Sequence, residues 1–136
     1  SPHPAVLRPD GALLVVAGIT QSTNGATNPS KISWQIRRYT TAGLPDDTFG
    51  SGGSKTVSFD VDYGGALGDD YPAGIALLPD GRFVVAGHSL SNSSECSFGC
   101  GSTLLLARFN PDGSFDSSFG TGGKVTAANV LGADGE

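Results

Sequence analysis

The sequence predicts an all-β chain of two tandem four-stranded antiparallel units, and four observations carry that prediction. A phrase recurs: DDTFGSGGSKTV over 46–57 returns as DSSFGTGGKV over 116–125. Asp10 and Asp80, Arg38 and Arg108, and Phe49 and Phe119 hold one constant spacing of 70 residues, so the two copies keep step. Apolar runs are short, and Gly makes up 21 of the 136 residues, the punctuation of many tight turns. Finally, no segment sustains a 3.6-residue apolar period, which argues against any long helix.

Each unit reads as four short strands. The first is AVL (5–7) or GIALL (74–78). A PDG turn follows, with Pro presetting φ and Gly accepting a left-handed conformation. The second strand, LLVVAG (13–18) or RFVVAG (82–87), is apolar on both faces and belongs at the centre of a buried sheet. Segments of unit-specific content come next, at 19–31 and 88–102. The third strand is KISWQIRRYT (31–40) or TLLLARFN (103–110), and it ends in TAG or PDG. The recurring phrase D-x-S/T-F-G-x-G-G then makes a corner, with Phe49 and Phe119 placed to plug the gap between units. The fourth strand is KTVSFDV (55–61) or GKVTAANV (123–130).

A repeat unit of this kind cannot bury its apolar face alone. Four short strands in a tandem unit of ~65–70 residues is the arithmetic of a β-propeller blade. The expected organisation is therefore one blade over 1–70 and a second over 71–136, together a fragment or protomer of a larger propeller-like array. The chain contains no Met, which marks a processed product or a piece of something longer.

PDG followed by VVAG, then R-F/Y-x-x-D/A-G, then D-x-S/T-F-G-x-G-G, resembles the delta-sixty repeat. About two copies cover nearly the whole chain. The first departs from the pattern with TTAG for NPDG, and with Pro45 where the second has Phe115. The resemblance implies a propeller-like fold in a large secreted or surface protein of bacteria, and it brings no catalytic residues to carry over.

Composition narrows the function classes. Hydrophobic residues are 38% and charged residues 15%, too apolar and too weakly charged for disorder. Net charge is −5, and Arg37-Arg38 is the only basic pair, so neither nucleic acid nor an anionic membrane is the expected partner. No apolar run approaches the ~20 residues of a spanning helix.

Candidate sites each have a structural alternative. Cys96 and Cys100, in SECSFGCGS, read as a small disulfide staple, ahead of free thiols or a metal site. Arg38 with Asp46, and Arg108 with Asp116, read as bidentate clamps across the corner rather than ligand contacts. The stretch FDVDYGGALGDDY (59–71) gathers Asp60, Asp62, Asp69 and Asp70. These are candidate calcium ligands, although a solvated acidic inter-blade loop is the stronger reading, since the second copy lacks the pattern and no late bidentate Glu follows. Trp34 and His88 are candidate ligand contacts, with a core or blade-interface position preferred for Trp34. Asn92-Ser93-Ser94 is an N-glycan sequon.

No GxSxG elbow, HExxH or Walker motif is present, and no partner can be assigned to His88 as a base. The leading function is thus a non-catalytic extracellular module that binds protein or glycan, with no required cofactor. The alternative is a structural protomer that self-assembles into a closed ring or a head-to-tail filament. A metal-dependent hydrolase of propeller type, using the Asp60–Asp70 region, ranks third.

Overall fold

The computed structural model describes residues 4–22, 30–61, 68–90 and 102–128. They form two four-stranded antiparallel sheets, and no helix occurs among them. The first sheet comprises β1 (Ala5–Leu7), β2 (Leu13–Ser22), β3 (Ser30–Tyr39) and β4 (Ser54–Val57). The second comprises β5 (Asp69–Leu77), β6 (Phe83–Leu90), β7 (Ser102–Phe109) and β8 (Lys124–Ala128). Each is a simple meander in chain order. The all-β class and the two-sheet plan are those the repeat predicts.

The tight turns form as the PDG motif dictates. Asp10 Oδ1 accepts the Ala12 amide at 2.9 Å and Asp80 Oδ1 accepts the Arg82 amide at 3.1 Å, so an Asx cap holds each turn shut. Register follows the 70-residue offset: Leu14 pairs with Arg38 as Val84 pairs with Arg108, and Trp34 pairs with Val57 as Leu104 pairs with Ala127.

The core lies between the sheets. Leu14, Val16, Trp34, Ile36 and Val57, the partner of Trp34, contribute one face of the first sheet, joined by Phe49 from the corner. Phe83, Val85, Leu105, Ala107 and Phe109 contribute the odd face of the second. Alternation along each strand places these residues on one side. Phe83 stacks on Phe109 at 5.0 Å between centroids, and Phe49 reaches across the joint to Phe83 at 6.0 Å.

Two boundaries change the reading made from the sequence. The first strand of the second unit starts at Asp69, five residues ahead of Gly74, with a bulge between Pro72 and Gly74. The bulge lets the chain carry a proline and stay paired with β6. Asp69 and Asp70 are consequently buried strand residues rather than part of a solvated loop. The fourth strand of the first unit ends at Val57, because Phe59 turns in to pack edge-on against Trp34 at 4.8 Å and Asp60 takes a left-handed φ of 50°.

Candidate functional site

The recurring corner is built the same way twice. Asp46 N donates to Arg38 O, Phe49 N to Asp46 O and Gly53 N to Phe49 O; Asp116, Phe119 and Gly123 repeat the set. Gly50, Gly52 and Gly53 have φ of 54°, 62° and 95°, matched by 56°, 63° and 95° at Gly120, Gly122 and Gly123. That left-handed run is why the glycines recur.

The Arg–Asp clamps are present but not bidentate. Arg38 Nε meets Asp46 Oδ2 at 3.0 Å, while Nη2 donates to Thr48 Oγ1 at 3.0 Å and Nη1 crosses to the Pro111 carbonyl at 2.6 Å. The guanidinium lies over the Phe49 ring, 4.9 Å from its centroid. Arg108 repeats this with Asp116 at 2.8 Å, Ser118 and the Phe119 ring. Asp116 also accepts Arg82 Nη1 at 2.7 Å. The Ser118 hydroxyl and amide, with both arginines, hold the Asp116 carboxyl well below the usual carboxylate range. Asp46 is lowered in the same way by the Thr48 hydroxyl and amide, then Arg38.

The acidic stretch closes around a lysine. Lys31 Nζ contacts Asp70 Oδ2 at 3.0 Å, Asp60 Oδ1 at 3.1 Å and Ser58 Oγ at 2.9 Å. Asp70 is fully buried and also accepts the Phe59 amide at 2.9 Å. Burial pushes its carboxyl up, against the pull of Phe59 N and Lys31. Burial likewise pushes Asp60 up, but the Ser58 hydroxyl and Lys31 outweigh it and the net shift is downward. Asp69 accepts the Ile32 amide at 2.8 Å. Two of the four carboxylates read as calcium ligands thus surround an ammonium and a third serves the β3 backbone; Asp62 lies outside the described residues.

Trp34 is 0% exposed, with Cζ2 lying 2.8 Å from where a Cβ on Gly87 would stand. It is an inter-sheet core residue and cannot contact a ligand. His88 is half-buried beside Tyr71, with ring centroids 5.5 Å apart. Cys96, Cys100 and the sequon at Asn92 lie outside the described residues.

One feature escaped the sequence reading. A cleft of about 510 Å³ opens between the first corner and the second unit's 112–114 turn. Ser51, Thr56 and Ser114 line it with hydroxyls, and Lys55 and Asp112 add opposite charges. Gly50 N donates to Asp112 O at 2.8 Å and pins its two walls together. Its residues come from two places in the chain and are individually ordinary, so only the juxtaposition of the sheets reveals it.

Residues 78–119 match the model of a family described as a domain of unknown function (DUF5122) beta-propeller. That span runs from the PDG turn of the second unit to its corner phenylalanine. The chain carries a β-propeller-type repeat. No curated protein and no solved structure matches the chain.

Proposed function

We propose that this chain is a non-catalytic, extracellular β-propeller module of the delta-sixty type that binds a protein or glycan ligand. The inter-sheet cleft carries this reading. It offers hydroxyls, one ammonium and one carboxylate around about 510 Å³, a lining suited to hydroxyl-rich or polar ligands. The clamp arginines and aspartates are engaged with one another, as are Lys31 and the carboxylates around it. Unit-specific sequence at 19–31 and 88–102 gives such a module room for specificity, and two cysteines four residues apart together with the acidic balance favour an exported setting. No cofactor is needed for binding of this kind.

The test is a glycan array together with a pull-down from surface-protein fractions, run with the wild type and with Ser114→Trp, which fills the cleft. Specific binding lost in Ser114→Trp is the expected result. Empty outcomes in both formats, or binding indifferent to the tryptophan, would refute the reading. Turnover in a hydrolase screen with and without added metal would refute its non-catalytic part.

A further inference from the structure

The joint between the two sheets has a donor side and an acceptor side. On the donor side, Arg38 Nη1 and Gly50 N donate to the carbonyls of Pro111 and Asp112, and the Phe49 ring covers Gly113, 3.1 Å from where a Cβ would stand. The second sheet carries the donor side again on its outward face. Among the described residues no acceptor faces Arg108 Nη1 or Gly120 N, and Phe119 is only half-buried where Phe49 is fully so. The first sheet carries the acceptor side again. The Thr41 and Ala42 carbonyls accept nothing among the described residues, and a Cβ on Gly43 would meet nothing within 4 Å.

We propose that a second copy of this chain docks its first sheet on the outward face of the second sheet, repeating the internal joint head to tail. The paired residues complement one another. Where Trp34 packs over Gly87 inside the chain, Leu104 would meet Ala17, the smaller knob matched by the larger floor. Where Lys55 lies over Phe115 at 4.5 Å, Val125 would meet Pro45. Leu44, 63% exposed in the single chain, would take the place of Ser114. A shallow cleft of about 290 Å³ at Gly120, Thr121 and Thr126 is one wall of the inter-sheet cleft repeated, and the 42–44 turn of the second copy supplies the other.

One element opposes the contact. Gln35, Arg37 and Tyr39 stand where Leu105, Ala107 and Phe109 pack, and Arg37 Nε donates to Gln35 Oε1 at 2.7 Å. Burying that guanidinium costs desolvation, so the contact is reversible and concentration-dependent. Being heterologous, it closes into a ring or extends into a filament according to its rotation. The proposal is independent of the ligand reading above.

The experiment is light scattering across a range from about 1 µM to 1 mM in reducing buffer, which removes cysteine cross-links. Wild type should rise from one chain mass to multiples of it. Leu106→Lys, on the outward face, should remain one chain at every concentration. Arg37→Ala should shift the transition to concentrations at least about tenfold lower. Trp34 emission checks that each variant is folded, and Val84→Lys replaces Leu106→Lys if that variant is not. A single-chain mass throughout for both wild type and Arg37→Ala would overturn the proposal, as would association unaffected by either lysine variant.

Discussion

The two corner phenylalanines have the same local contacts and different surroundings, so substituting each tests how the joint is built. Phe49→Ala removes a ring that is 0% exposed, that meets Phe83 across the joint and that lies under Arg38. A fully buried Phe→Ala change costs about 3–5 kcal/mol. With a urea m-value of about 1.5 kcal/mol/M, the midpoint should fall by about 2–3 M. Phe119 is half-buried, and Arg108 is its only ring partner among the described residues. Its removal forfeits roughly half a buried phenylalanine, about 1 kcal/mol, and under 1 M in midpoint. The assay is urea unfolding at submicromolar protein, followed by emission of the single tryptophan, Trp34, which sits in the joint and senses its opening. Equal shifts in the two variants, or a larger one for Phe119→Ala, would mean that these rings stabilise their own corners and not the contact between sheets.

Lys31→Met leaves the buried Asp70 carboxylate unpaired and should cost about 3–5 kcal/mol in the same assay, part of it recovered by adding Asp70→Asn; a cost below about 1 kcal/mol would contradict the buried pair. Gly87→Ala drives a methyl into the Tyr71 carbonyl and the Trp34 ring and should destabilise by about 1–3 kcal/mol or more, whereas an unchanged midpoint would misplace Trp34. Acid should destabilise the fold. Asp116, Asp46 and Asp112 are held below the ordinary aspartate value, so the unfolded chain binds more protons, and stability present above about pH 4 is lost as pH falls. Asp70 is raised and contributes the opposite slope, and Asp116→Asn should flatten the acid limb of a midpoint-against-pH curve. Millimolar calcium should leave the melting temperature unchanged, since the Lys31 ammonium already stands between Asp60 and Asp70 and ion-pairs with both; a rise of several degrees would reinstate the metal reading.

What was legible in the sequence was whatever the repeat wrote twice. The strand order, the PDG turns and the corner follow from residues that local physics treats alike in both copies. The start of β5 was not legible. Asp69-Asp70-Tyr71-Pro72 reads as polar loop, and is strand because it pairs with β6 while β3 offers an amide and an ammonium to the two carboxylates. The clamp partner was legible but its geometry was not. The sequence shows Arg and Asp eight residues apart, while the split of the guanidinium between carboxylate, hydroxyl and a carbonyl of the other sheet is a tertiary result. The cleft depends wholly on how two corners are brought together.

The packing of Trp34 over Gly87 has a consequence for folding fidelity. Tandem units with nearly the same register invite misassembly, in which one unit takes a place meant for another. The inward face of the first sheet, offered to its own outward face on another molecule, would bring Trp34 onto the methyl of Ala17 instead of the bare backbone of Gly87. An indole that fits only over glycine therefore rejects that stacking by steric exclusion. The two units are alike enough to share one architecture, and this pair of residues keeps them from being interchangeable.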